Sequence, residues 1–517
     1  MKKYIFALGF VALGLASCGK DYLETSPEAE VDTGTILSST ENSELSINGI
    51  AKSMSVQYLH SQGFNGEGTI KTWYGNYPGN DFQKSNLTGW AAIINSTNHL
   101  QLSSSYDTYP WYYYYKLISN ANSIIAHIDE ASGTEQSKAF IKAQALTDRA
   151  YAFFMLSQLY CKRWSDEQGN ARGVVLRLDE TFGDQACATL GETYNQVYAD
   201  LDQAISLYQT SGKHRESSDF HLPDIEVAYA VYAKAALTKQ DWSNAAKYAA
   251  LARQGRKVMT ISEYMDGGMH TPNNDWIWGV YEPSDKTLYY YSFFAYQGSN
   301  SSAGVCRNYP CAISRELIDQ IPESDVRRSL YLVPQSEAEF EEAFPKGGNP
   351  ASCTKALRTR ARSEFGSKLY STSLVFPYMQ TKFTVDFLPG GGSFPIIRAA
   401  EMYYVEAEAD CHLGQDAAAQ QLLFDVTSIY DPSYEKSTKT GDDLLTEVKL
   451  YRRFDLWGEG LDWFDYKRWG ESIARKTYAN GGSFHSSFAV TLGPSEANDW
   501  TWGIPKSETD YNSLVTQ

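Results

Sequence analysis

A chain of 517 residues with a formal charge of −17 sets 45 Lys and Arg against 62 Asp and Glu. No cluster of basic residues stands out, which argues against a partner made of nucleic acid or anionic lipid head groups. Seven cysteines form no Cys-x-x-Cys pair and no two histidines stand four apart, so no zinc site or other metal centre is supported.

Lys2 and Lys3 precede an apolar run over residues 4–16 that ends in Leu15-Ala16-Ser17-Cys18. Such a run is shorter than the roughly 20 residues a spanning helix needs, and small residues mark a cleavage point, so residues 1–17 read as a signal peptide. The placement of Cys18 resembles the bacterial lipobox, in which the thiol is acylated and becomes the first mature residue. Loss of Lys2 and Lys3 takes the charge to −19. Residues 18–27 then form an acidic tether ending at Pro27, and no other apolar run is long enough to span a bilayer.

An amphipathic helix is predicted over residues 43–60. Residues 63–102, punctuated by Gly, Asn and Ser, read as loop with short helix and carry Trp73, Tyr74, Asn76, Asp81 and Trp90. Helices over 111–128 and 138–164 form a hairpin, 192–208 pairs with 224–239, and 242–253 is a further helix. The small-residue rhythm from Ala233 to Ala245 recurs from Ala407 to Ala419 around a short turn. This looks like a tetratricopeptide-type repeat, whose hairpins are stable only when stacked. Residues 265–395 interrupt the array: they are rich in Gly, Pro, Ser and Tyr and lack long helical patterns, yet too aromatic for disorder. Within them Cys306 and Cys311 flank a Tyr-Pro turn and are close enough in sequence to pair in an oxidising exterior.

Residues 397–475 carry the strongest pattern. Arg398, Ala400, Glu401, Tyr403, Ala407, Glu408 and Ala409 lie on one helix, followed by Arg452, Arg453, Glu459, Gly460, Trp463, Phe464, Asp465, Lys467, Arg468 and Trp469. Arg452, Asp455, Leu456 and Glu459 fall on one helical side, where buried charge needs partners, and Gly460 is expected to break or bend the helix, the unit reading as a bent helix with paired charges. This pattern resembles the C-terminal core of the SusD/RagB family of outer-membrane nutrient-binding lipoproteins. Asn120-Ala121-Asn122, Arg149-Ala-Tyr151 and the terminal Ile504-Pro505 extend the resemblance from Cys18 to Glu508. Asp455 stands where the family usually has Glu, Gly458 where it has an aromatic, and Asp462 where it often has Arg.

The resemblance implies a mostly α fold, a superhelical scaffold of tetratricopeptide-like hairpins with a long loop-rich insertion. Residues 18–260 would be the SusD-like N-terminal region with the ligand-surface loops, and 261–517 the C-terminal region. It implies a lipid-anchored protein on the cell surface that binds oligosaccharide without catalysis or cofactor and delivers it to a SusC-like TonB-dependent barrel. Arg398, Glu401, Arg452, Glu459, Asp465 and Arg468 would then specify the fold. The family's ligand residues vary, so the site is argued from composition. Tyr and Trp offer a flat apolar face with a polar tip, worth on the order of 1 kcal/mol per stacked sugar ring. On this ground Trp73, Tyr74 and Trp90, with Asn76 and Asp81 as hydrogen-bond partners, and Tyr289, Tyr290 and Phe293 form the candidate ligand arc. Two other readings stay open: a helical-repeat scaffold that binds only protein, and a surface glycoside hydrolase, which needs no more than two placed carboxylates.

Overall fold

A computed structural model describes residues 37–57, 64–87, 89–97, 101–282, 291–493 and 501–516. The leader, Cys18, Tyr289 and Tyr290 lie outside them.

Helices begin where the sequence supplies caps. Ser39 accepts from Asn42 N at the start of α1 (Thr40–Ser53), Ser104 caps α2 (Ser105–His127) and Thr134 caps α3 (Glu135–Tyr160). Thr189 and Glu192 form a capping box at α4 (Leu190–Ser211), which Gly212 closes in the left-handed conformation. Asp224 and Asp241 cap α5 (Ile225–Thr238) and α6 (Trp242–Arg253). Beyond the insertion come α7 (Ala399–His412), α8 (Asp416–Thr427), α9 (Gly441–Asp455) and α10 (Asp462–Trp469).

Neighbouring helices pack in an unbroken series from α2 to α8, and α6 meets α7 although almost 150 residues separate them in sequence. The array is interrupted along the chain but continuous in space. Small residues make this junction tight: Ala233, Ala245, Ala249, Ala252, Ala400 and Ala407 are fully buried. Ion pairs from Arg253 to Glu406 and from Lys234 to Glu401, both 2.6 Å, and Trp242 stacked on His412 at 3.9 Å hold its edges.

Short strands, absent from the sequence expectation, tie the insertion down. β1 (Phe82–Lys84) pairs antiparallel with β3 (Cys311–Ile313), and β2 (Trp276–Val280) with β4 (Phe394–Arg398) across a bulge near Trp278. With three to five residues each, these strands have too few positions to show a period. The insertion is therefore no loose surface: Phe294, Ile313, Leu317, Leu332, Cys353 and Val375 are fully buried.

Two expectations are corrected. Cys306 and Cys311 are both free, buried thiols; Cys306 lies on a short helix, while Cys311 enters β3 and sits 3.1 Å from Lys84 Nζ. Of the two expectations for Gly460 the break holds and the bent helix does not, since α9 ends at Asp455 and a turn separates it from α10. That turn needs glycine. Gly460 has φ +83°, and a Cβ there would lie 2.6 Å from Lys71, while a Cβ on Gly75 would lie 2.1 Å from the Gly460 carbonyl oxygen.

Candidate functional site

The C-terminal motif builds a buried charge network. Arg398, at the junction of β4 and α7, donates to Glu459 from Nε (2.8 Å) and Nη2 (2.7 Å), to Asp275 from Nη1 (2.5 Å) and to Asp455 from Nη2 (3.3 Å). Lys382 Nζ donates to Glu459 at 2.8 Å and also to the carbonyls of Asp455 and Trp457. Burial opposes ionisation of Glu459, but Arg398 and Lys382 prevail and hold its carboxyl down at about 2. A second cluster joins α7, α9 and α10. Arg452 grips Asp465 at 2.7 and 3.1 Å, Arg468 reaches both Asp465 (2.9 Å) and Glu408 (2.7 Å), and Arg452 lies 3.6 Å from Glu401.

This network also positions the N-terminal loops. Arg453 holds Asp81 at 2.7 and 2.8 Å, and Asn76 spans the glycine turn, donating to Gly458 O and accepting from Gly460 N, both at 2.8 Å. Asp462, where the family often has Arg, accepts from the backbone N–H of Asp81 (2.7 Å) and Phe82 (3.1 Å) and so fixes the approach to β1. Asp455, one methylene shorter than the family's usual Glu, still meets Arg398 and accepts from Tyr404 OH at 3.1 Å.

The two segments expected to form the ligand arc do meet in space, but most of the named residues face inward. Residues 70–76 form one π-helix buried along its whole length, which places Trp73, Tyr74 and Asn76 in the core. Asp81 is consumed by Arg453, Tyr74 OH donates to the Tyr106 carbonyl, and Phe293 stacks on Phe394 at 4.5 Å. As positioned, none of these five presents a face to a ligand. Trp90 is different, since it is only half-buried.

Around Trp90 lies an aromatic patch. Trp73 makes edge contacts with Phe64 (5.2 Å), Tyr106 (5.4 Å) and Tyr296 (5.5 Å), and Trp90 stands 5.6 Å from Tyr296 and 6.5 Å from Trp73. Tyr291 adds a further ring 6.3 Å from Tyr296. Trp73 and Tyr296 are the buried floor, and Trp90, Tyr106 and Tyr291 are the half-exposed rim. Trp73 Nε1 and Tyr296 OH find no hydrogen-bond partner among the described residues. Sequence reasoning missed Tyr106 and Tyr291. The second continues the Tyr289-Tyr290 run, a signal available in the sequence, whereas Tyr106 opens a helix with six other aromatics and nothing sets it apart.

Among the described residues no group of three or more His, Cys, Asp or Glu is placed to hold a metal ion, and no helix is long and apolar enough to cross a membrane.

The packed helical series, the two strand pairs and the Arg398–Glu459 network define a mostly α scaffold of the SusD type. A family model described as starch-binding and associating with the outer membrane matches residues 21–276, and the model of the SusD family matches residues 242–517; the chain belongs to the SusD family. It is similar in structure to a SusD-like carbohydrate binding protein from Bacteroides vulgatus, with TM-score 0.75, 20% identity, and 92% of this chain and 97% of that one covered. A SusD superfamily protein from Bacteroides thetaiotaomicron gives TM-score 0.72 at 19% identity, covering 93% and 99%. A SusD homolog from the same species gives 0.69 at 16%, covering 96% and 99%. Identities this low speak for the fold alone. No curated protein matches the chain in sequence.

Proposed function

We propose that the protein is a surface lipoprotein that captures oligosaccharide on the patch rimmed by Trp90, Tyr106 and Tyr291 and passes it to a SusC-like TonB-dependent barrel. The observation that carries the reading is the convergence of Trp90 and Tyr291, from segments some 200 residues apart, on one buried aromatic floor while they themselves stay half-buried. Partly exposed rings over an aromatic floor suit the C–H face of a sugar. Tyr289 and Tyr290 adjoin Tyr291 in sequence and belong to the same proposed surface. Binding rather than hydrolysis is favoured because Glu408, Glu459 and Asp465 of the motif are buried and committed to Arg and Lys side chains.

Each stack contributes on the order of 1 kcal/mol, so affinity is modest and capture pays only if the glycan is handed on at once. A glycan array probed with soluble protein lacking residues up to Cys18 tests this. Trp90→Ala and Tyr291→Ala are each expected to weaken the strongest signal about fivefold without unfolding. No glycan signal from the parent would favour the protein-binding scaffold, and new reducing ends on added polysaccharide would favour the hydrolase.

Acylation at Cys18 supplies the anchor, at roughly 0.8 kcal/mol per buried CH₂. In mild detergent the parent is expected to leave the membrane fraction together with a barrel protein, and Cys18→Ala to be missing from that fraction. Recovery of Cys18→Ala with mature outer-membrane proteins would count against the anchor, and repeated recovery of the parent alone against the barrel.

A further inference from the structure

The outer side of α2 carries a second opening, unrelated to the aromatic patch. With about 100° per residue, Tyr112, Lys116 and Ser119 fall within about 60° of one another on α2, roughly 80–140° round the helix from Tyr106. That side of the helix and an irregular strap over residues 175–183 enclose a groove of about 790 Å³, within the range of small-molecule sites.

The strap is held in place by buried polar groups. Asn122 Nδ2 donates to the carbonyls of Arg177 (3.0 Å) and Asp179 (3.1 Å), and Tyr115 OH to that of Val175 (2.7 Å). Arg149, itself gripped by Asp200 at 2.7 and 2.8 Å, donates to Asn122 Oδ1 (2.9 Å) and to Leu178 O (3.2 Å). These are the residues of the Asn120-Ala121-Asn122 and Arg149-Ala-Tyr151 motifs. They make the groove a preformed one, which lowers the ordering cost of binding.

What faces the opening is specific in kind. Two aromatic rings are exposed at its mouth, Tyr112 on the helix and Phe182, wholly exposed, on the strap. Between them Lys116, Ser119 and Asn120 are exposed, and their side chains make no hydrogen bond or ion pair within the described residues. Tyr112, Lys116 and Ser119 succeed one another about one turn apart, a rise of roughly 5.4 Å that is close to the length of a pyranose unit. The apolar floor residues Ile118 and Val175 are buried and offer no socket for a peptide side chain. Asp179, Glu180 and Glu508 outnumber Lys116 and Arg177 at the rim, which disfavours an anionic ligand.

We infer that this groove is a second saccharide site, taking a neutral oligosaccharide stretch with sugar rings against Tyr112 and Phe182 and hydroxyls on Lys116, Ser119 and Asn120. It rests on the saccharide-binding reading above and adds to it a second point of attachment, so that a long glycan is held in two places and gains avidity without any tighter individual contact.

Affinity electrophoresis tests it, with gels containing amylopectin and, in parallel, a panel of other plant and host polysaccharides. The Tyr112→Ala/Phe182→Ala double variant, altered only at exposed rings, is expected to bind the retarding polymer about tenfold more weakly than the parent. Its affinity for a short oligosaccharide of the same glycan should be unchanged, because that probe needs only the patch. Trp90→Ala/Tyr291→Ala should keep residual retardation that disappears when all four changes are combined. A Tyr112→Ala/Phe182→Ala variant retarded like the parent, or complete loss of retardation in Trp90→Ala/Tyr291→Ala, overturns the second site and leaves the patch standing. A parent retarded by no polymer overturns both.

Discussion

Arg398→Ala is expected to lower the unfolding free energy by at least about 3–5 kcal/mol, because it strands Asp275, Asp455 and Glu459 in the core without their shared cation. The change does more than remove one ion pair. Lys382 would be left as the one cation on Glu459, and Asp275, which also accepts from Ala400 N at 2.9 Å, could no longer brace the start of α7. Arg398→Lys should recover only part of the loss, since an ammonium is a point donor and cannot bridge three carboxylates as the planar guanidinium does. Urea unfolding followed by circular dichroism checks the order parent, Lys, Ala. A loss under about 1 kcal/mol for Arg398→Ala would mean that the network contributes little to holding the two halves of the chain together.

The second large effect is on pH. Asp107 lies in the first turn of α2, fully buried, with neither carboxylate oxygen hydrogen-bonded among the described residues, and burial pushes its carboxyl up to about 8. Its titratable neighbours Tyr74 and Tyr160 supply no positive charge, so the favourable end of the helix dipole does not rescue the ionised form. Asp148, within α3, is in the same position and is shifted in the same direction. The folded-state value exceeds that of the unfolded chain, so the unfolded state releases its proton first as pH rises. Stability is therefore intact below about pH 4 on this count and falls progressively until about pH 8. Asp107→Asn mimics the neutral acid and removes the share of the dependence that Asp107 carries, that of Asp148 remaining. Between pH 4.5 and 8.5 the parent should lose on the order of a few kcal/mol more than the variant, the variant being the more stable at the alkaline end. Parallel pH profiles would show that Asp107 is ionised and hydrated in the folded protein.

Much of this architecture was legible in the sequence because it rests on local rules. The helix expected over residues 242–253 matches the observed span, and helix starts at Glu135, Leu190 and Ile225 lie within a few residues of expectation, since caps and apolar periodicity mark them, whereas α2 begins at Ser105, a turn and a half before the expected residue 111. What was not legible depends on long-range pairing. β1 finds β3 more than 220 residues away, and no pattern in three residues announces it. The site failed for a related reason: composition picks out aromatic-rich segments but cannot say which ring faces inward. In a π-helix with all seven residues buried, Trp73 and Tyr74 have the same composition signal as Trp90, and the opposite role. Asp81 likewise read as a hydroxyl partner, when its actual partner, Arg453, lies more than 370 residues on.

The claim that the rim of Trp90 and Tyr291 captures glycan is tested most directly by calorimetric titration. The oligosaccharide giving the strongest array signal is titrated into the parent and into Trp90→Ala/Tyr291→Ala, with thermal unfolding of both measured alongside. At about 1 kcal/mol per ring the double variant should bind roughly 25-fold more weakly while its unfolding temperature stays that of the parent. Equal affinities for the two proteins would contradict the claim and move the site off the patch.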